Sequence, residues 1–450
     1  MQKCTCLGYP SRRDYCLRAP FCDILFAQTS TVSEAIRQLL KLNPNGRILA
    51  VAPSNSAADV LLERVVSRMK TIQVYRLNAV GRSVNTLPAL IKPYFSLTPD
   101  GLHFMPKPRA QILVEKIQLV VTTCVSAAAL YGLGFKVGDF DHVFVDEAGH
   151  ATEPECLCAL GGLVDATKGR VVLSGDPKQL GPIIRSKLAI KFGLNVSLLE
   201  RLTCDDEYGP NEQQRLAGQP ADRRGAISVY HRDPARGYDT RYISKLLYNY
   251  RSHPSILEVP NKLFYENELQ AMADKMDRES LLKAGIWPNP AVPVLFHHIE
   301  GKEQQEARSP SWFNVDEAVN VMEYAFSLLA TKSLGMSYRD IGIISPYSKQ
   351  VHKLRELARH RHQKLHGAGA GGAVGSSSGS PVPVSELKIG SCEEFQGKLA
   401  RTKLLQPSCD SDGIIVCSPT RSDCYVQVKN AGSFSSARCV RAWRITKVST

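Results

Sequence analysis

Between residues 31 and 46 the chain reads TVSEAIRQLLKLNPNG, and Val32, Ala35, Ile36, Leu39 and Leu40 recur at the spacing of one helix face. Pro44, Asn45 and Gly46 supply the stop. Four runs of a different kind follow: RILAVAP (47–53), QLVVTT (118–123), HVFVDE (142–147) and RVVLSGDP (170–177). Each is apolar nearly throughout and closes on small or polar residues, as strands buried on both faces of a parallel sheet do when function gathers at their carboxyl ends. Helical segments such as SAADVLLERVVSRM (56–69) lie between them, so the alternation predicts an α/β domain.

Residues 75–116 carry prolines at 88, 93, 99, 106 and 108 and read as an excursion from that sheet. The polar, Gly- and Pro-bearing stretch 205–237 reads as an exposed loop or insertion. A second α/β unit begins near YISKLLYNYRSHP (242–254), with strands expected at PVLFHHI (293–299) and IGIISPY (341–347) and a helix at NVDEAVNVMEYAFSLLA (314–330). The segment GAGAGGAVGSSSGSP (367–381) has the composition of a flexible linker. After Gly397 neither period is sustained, and most of 398–450 is expected to be disordered or poorly packed. The domain expectation is thus a non-matching segment 1–28, a first domain 29–204, the insertion 205–237, a second domain 238–397 and a tail 398–450.

Composition narrows the class only slightly. A chain of 450 residues exceeds what one hydrophobic core organises, so two or three domains are expected. Apolar residues at 43% and charged residues at 22% fit a globular protein, and no eighteen apolar residues run uninterrupted, so no membrane partner is expected. The net charge of +13, from 56 Lys and Arg against 43 Asp and Glu, has the sign that suits nucleic acid. Thirteen cysteines lack the CxxC pairs and distant histidines of a zinc site and are read as reduced thiols. The N-terminus shows no apolar core followed by a small-residue cleavage site, so no signal peptide is expected.

The chemistry lies at two strand ends. In VFVDEAGHATEPE (143–155), Asp146 and Glu147 stand just past an apolar strand; there Asp146 can hold magnesium while Glu147 orients or deprotonates a water attacking a terminal phosphate. The bland alternative is an acidic pair that only caps a strand. GDPKQLGP (175–182) follows the next strand and forms a tight turn that would present Gln179 to whatever Asp146 and Glu147 hold.

These motifs carry a resemblance. Residues 29–397 resemble the superfamily 1 helicases of the Upf-one-like branch, most closely the Mov-ten/Armitage group of RNA helicases, in APSNSAADVLLERV (52–65), VVTTCVSAA (120–128), VFVDEAGHATEPE, GDPKQLGP, GLNVSLLERL (193–202), NYRSHPSIL (249–257), SPSWFN (309–314), IGIISPYSKQV (341–351) and GSCEEFQG (390–397). The resemblance implies an α/β fold of the P-loop NTPase type, with two RecA-like domains, ATP and Mg2+ as cofactors, and single-stranded RNA, or a duplex with a single-stranded tail, as substrate. It makes Asp146 and Glu147 the magnesium and water residues, Gln179 the γ-phosphate sensor and Arg251 an arginine finger, with Gly175, Asp176, Gln396 and Gly397 in the motifs that face nucleotide. RNA contacts are implied for Pro53, Ser54, Asn55 and Thr123. Apart from the family, Ser54 and Asn55 would cap the next helix and Arg251 would be one solvated cation; a capped helix N-terminus is also an anion site.

One half of the implied site does not match. A phosphate loop reads GxxxxGK and then Ser or Thr, whereas this chain reads FCDILFAQT, with Gln28 in the place of the lysine and Thr29 in that of the magnesium-binding hydroxyl. Without that lysine and those glycines, ATP affinity and turnover are expected to fall. Beyond Gly397, Leu399 stands where relatives carry an acidic residue, and the later arginine motif is not found. Both departures are abrupt, which predicts a helicase core incomplete at both ends, with foreign sequence outside about 28–397, unpaired sheet edges and poor solubility. The function expected is an ATP-dependent RNA helicase moving 5′ to 3′ in RNA silencing or mRNA decay, cytoplasmic and in RNA granules, with silencing or decay proteins as partners. Alternatives are a catalytically inactive RNA-binding scaffold and a DNA helicase of the same superfamily.

Overall fold

The computed structural model describes residues 2–7, 27–69, 72–79, 81–84, 87–203, 243–297, 299, 301–306, 309, 311–367, 384–391, 395, 402–405 and 414–416. The chain divides into two units, Met1–Leu247 and Tyr248–Thr450.

The first unit is built from β1 (Gln2–Leu7), α1 (Ala27–Leu42), β2 (Ile48–Ala52), α2 (Asn55–Arg68), β3 (Val74–Arg76), α3 (Arg109–Val114), β4 (Leu119–Thr123), α4 (Ala129–Gly132), β5 (His142–Val145), α5 (Glu153–Leu160), β6 (Arg170–Gly175), α6 (Lys187–Lys191), α7 (Leu198–Thr203) and β7 (Ile243–Leu246). Its strands form one sheet in the order β3-β4-β2-β5-β6-β1-β7. From β3 to β6 all neighbours are parallel, so the ends of β2, β4, β5 and β6 share one edge.

Strict alternation explains why these strands read as unbroken apolar runs. Leu49, Val51, Val120, Val143, Val145 and Leu173 enter one core, with Ile112, Cys156 and Leu199 of the helices on that face. Ile48, Ala50, Ala52, Leu119, Val121 and Phe144 enter the other, with Val32, Ile36 and Leu40 of α1 and Ala58, Leu61, Leu62 and Val65 of α2. A strand covered on both faces leaves no polar alternation to see. The free thiols of Cys124 and Cys156 share a hydrogen bond in the first core, and that hydrogen bond together with burial pushes the Cys124 pKa well up, which keeps it protonated and inert.

The second unit contains β8 (Tyr248–Asn249), α8 (Pro254–Phe264), β9 (Gln270–Ala271), α9 (Lys275–Arg278), β10 (Val294–Phe296), β11 (Glu303–Gln305), β12 (Trp312–Asn314), α10 (Val315–Ala330), β13 (Ile341–Ile344), α11 (Ser348–Gly367), β14 (Lys388–Gly390), β15 (Thr402–Leu405) and β16 (Ile414–Val416). β13 lies between β14 and β15, parallel to both. Ala318, Val321, Met322 and Ala325 of α10 and Leu354 and Ala358 of α11 pack with Ile341 and Ile343 of β13. Asn314 caps α10 by accepting from Asp316 N and Glu317 N at 3.0 and 3.2 Å. Buried Gln350 fixes that cap, accepting from Asn314 N at 2.8 Å and donating to Asn314 O at 2.9 Å.

Several expectations change. The stretch read as an excursion contributes β3 to the sheet, too short a strand for periodicity to register. The first unit extends to Leu247 because β7 pairs with β1. Unpaired edges are expected from the sequence; beside β6 the edge is taken by β1, which runs antiparallel to it, Lys3 opposite Gly175 and Leu7 opposite Val171. In the second unit β15 and β16 fall within the stretch expected to be disordered and pair with β13 and β10. The insertion 205–237 and nearly all of the glycine-serine segment lie outside the described residues.

Candidate active site and nucleic-acid interface

Asp146 follows β5 with the parity of Phe144 and therefore faces α1. On α1 the stripe Val32, Ile36, Leu40 continues one turn back to Gln28, which is 5% exposed. Gln28 Nε2 donates to Asp146 Oδ1 at 3.2 Å, and the Thr29 hydroxyl donates to the same carboxylate. Burial raises the Asp146 pKa; the bonds from Thr29, Gln28 and the Glu147 backbone and the charge of Arg64 oppose that shift. Glu147 is half-buried and stands at φ +53°, a left-handed conformation unusual for a residue with a side chain.

Two glycines press this turn against the next. A Cβ on Gly149 would lie 2.9 Å from Asp176 O, and one on Gly175 2.8 Å from Gly149 N. Ala148 N donates to Ser174 O at 2.8 Å, and His150 donates from Nδ1 to Gly181 O at 3.1 Å. Buried Asp176 organises the GDPKQLGP turn, accepting from Lys178 N at 2.9 Å and from Gln179 Nε2 at 2.8 Å. Gln179 is exposed, with its amide nitrogen tied back to Asp176. That tether was not legible in the motif, since a turn motif fixes the backbone and leaves the side chain free to choose a partner.

The four RNA candidates stand together. Ala52 and Thr123 are cross-strand neighbours, and Cys124 N donates to Ala52 O at 2.9 Å, so Pro53, Ser54 and Asn55 leave β2 beside the end of β4. Ser54 is exposed and caps α2, accepting from Ala57 N at 3.1 Å. Thr123 Oγ1 donates to Ser126 Oγ at 2.8 Å and accepts from Ser126 N at 3.2 Å.

In the second unit Arg251 follows β8 in a turn held by Asn249 Oδ1, which accepts from Arg251 N at 2.9 Å and Ser252 N at 2.8 Å. His253 caps α8, and burial lowers its pKa. Gln396 and Gly397 lie outside the described residues.

Comparison with known proteins finds two matched regions. Two models, each described as "AAA domain", match residues 105–187 and 231–405. The mov-10-B.1 protein of Danio rerio, a helicase by name, is 42% identical over 378 residues, which is 82% of this chain and 33% of that protein. RNA helicase Mov10l1 of Mus musculus is 40% identical over 82% of this chain and 27% of its own length. The armi protein of Drosophila melanogaster, named as an RNA helicase, is 31% identical over 82% and 30%. The matched part of the chain belongs to the Mov-10 group of helicases. It spans about a third or less of the length of these relatives. The second AAA match continues to residue 405 and so takes in β15, beyond the point where the sequence reading ended the resemblance.

Within this helicase region, sequence reasoning missed two features. Ser174 Oγ, on the α1 face by alternation with Leu173, is fully buried and has no hydrogen-bond partner among the described residues. Arg76 is 1% exposed and paired with Asp59. The available signal was an arginine inside the apolar run VYRL with an aspartate on the preceding helix, masked by reading that stretch as an excursion.

Magnesium fits the first cluster. The ion takes one or two protein oxygens and completes its octahedron with water and phosphate, and Asp146 and Thr29 offer such a pair. The phosphate side does not fit as well, because Gln28 brings an amide where a β- and γ-phosphate pair calls for a cation.

Proposed function

We propose that this chain is the motor region of an RNA helicase that binds single-stranded RNA and turns over ATP slowly, Gln28 being the cause of the low rate. The observation that carries the reading is the meeting of Gln28, Thr29 and Asp146 at one strand end, beside Glu147 and the interlocked GDPKQLGP turn. Asp146 and Thr29 hold the metal-facing side and Glu147 takes the proton of the attacking water. Magnesium, when bound, neutralises charge on the phosphate oxygens. Pro53, Ser54, Asn55 and Thr123 bind the RNA backbone without reading sequence, as small polar side chains beside a helix N-terminus can. Arg251 takes its arginine-finger role from the family resemblance alone.

The helicase names of the relatives support RNA as substrate. We assign 5′-to-3′ movement, a role in silencing or mRNA decay with proteins of those pathways, and a cytoplasmic, granule-associated location on the family resemblance. Among the described residues no helix is long and apolar enough to cross a membrane.

The test is magnesium-dependent ATP hydrolysis by the full chain with and without single-stranded RNA, beside Glu147→Gln. Slow, RNA-stimulated turnover that disappears in the variant is expected. RNA binding with no turnover at all would favour the scaffold reading, for which the amide at position 28 is the specific observation.

A further inference from the structure

Beneath the proposed RNA edge lies a buried ionic cluster that the helicase reading does not use. By alternation with Tyr75, Arg76 faces α2. Its guanidinium reaches three partners: Nε donates to Asp59 Oδ1 at 3.1 Å, Nη1 to Leu77 O at 2.6 Å and Nη2 to Asn55 Oδ1 at 3.1 Å. Asp59 also accepts from Arg82, which donates to Asn78 Oδ1 at 2.9 Å. Asn78 is 4% exposed and its Nδ2 has no hydrogen-bond partner among the described residues. A charge removed from water this completely needs a full set of partners; burial, only partly offset by Asp59, lowers the Arg76 pKa to about 10.

We propose that Arg76 is a positioning residue for binding of the single-stranded RNA backbone. It acts through Asn55, fixing the Pro53–Asn55 turn and the first residue of α2. At 1% exposure Arg76 touches no strand itself. Its planar fork holds the side chain of Asn55, the carboxylate of Asp59 one turn along α2, and the backbone of Leu77 beyond β3, which locks the start of the helix to the sheet. The Asn55 side chain would otherwise sample several rotamers, and RNA binding would have to order it each time. This inference rests on the assignment of Asn55 to RNA.

The experiment is a double-mutant cycle on the full chain, with Kd for a fluorescein-labelled oligouridine read by anisotropy and melting recorded in parallel. Arg76→Lys keeps a cation and loses the fork. About tenfold weaker binding is expected in Arg76→Lys and in Asn55→Ala, with the double variant no weaker than Asn55→Ala alone, because one residue works through the other. Additive losses, or a lower melt with Kd unchanged in Arg76→Lys, would overturn the inference and leave the RNA reading intact. Unchanged binding in Asn55→Ala would remove the RNA assignment and the inference with it. Should Arg76→Lys fail to fold, hydrogen exchange decides on Asn55→Ala, which removes one partner of Arg76 and keeps Asp59 and Leu77. Faster exchange confined to the amides of residues 55–58 supports positioning by Arg76; unchanged protection there refutes it.

Discussion

At the scale of single residues, the candidate active-site carboxylate Asp146 works against the fold. Burial raises the Asp146 pKa, so the folded protein holds a proton there more readily than the unfolded chain, and the ionised form destabilises at neutral pH. Asp146→Asn is therefore expected to melt higher than the parent at pH 7 while losing hydrolysis. The sign follows from the direction of the shift. The parent's handicap is full above the raised pKa and vanishes below the ordinary aspartate range, where both side chains are neutral. Melts across that window check it, and an Asn variant less stable at pH 7 would show that the bonds from Thr29 and Gln28 outweigh burial. Gln28 gives the complementary prediction. Gln28→Lys places a cation where an amide now meets Asp146, and affinity for a fluorescent ATP analogue should rise at least about tenfold, near 1.4 kcal/mol. Equal affinity in the two proteins would show that the phosphates are not met at the start of α1.

At the scale of elements, the turns after β5 and β6 behave as one part. Gly149→Ala places its new carbon against the Asp176 carbonyl, a backbone atom that cannot swing away, and should destabilise by about 1–3 kcal/mol in urea unfolding. Gly81→Ala, which meets nothing within 4 Å, is the control expected to stay near neutral. How legible each element was depended on what sets its conformation. β2, β4, β5 and β6 were readable because strands covered on both faces must be continuously apolar, and α1 and α10 because one face must repeat. β3 was hidden, since three residues carry no period and its buried Arg76 argues against a strand until Asp59 is seen beside it. β1 was hidden because pairing to β6 satisfies its backbone without any motif. At the site, the backbone turns were legible from Gly and Pro. The partner of Gln28 was not, since a side-chain hydrogen bond across 118 residues leaves no trace in local sequence, and that of Gln179 was not, since its turn motif sets the backbone and not the side chain.

At the scale of the whole molecule, the charge of +13 decides how the proposed RNA binding responds to salt. On the proposed reading, the small hydroxyl and amide groups at the ends of β2 and β4 set the path of the RNA, while attraction along the rest of its backbone comes from lysines and arginines elsewhere on the surface. If about four phosphates are neutralised, log Kd against log salt has a slope near 2.8, and affinity drops ~50-fold between 50 and 200 mM salt. Ser54→Ala removes a positioning group and no charge, so it should weaken binding at every salt concentration and leave that slope unchanged. Asn55→Ala should do the same. A slope near zero in the parent would mean that the excess cations do not face the RNA, and binding would then rest on the neutral groups at the strand ends alone. A slope that changed in Ser54→Ala would instead mean that this hydroxyl places the strand against the cations, making the edge of the first sheet the register for the whole charged surface.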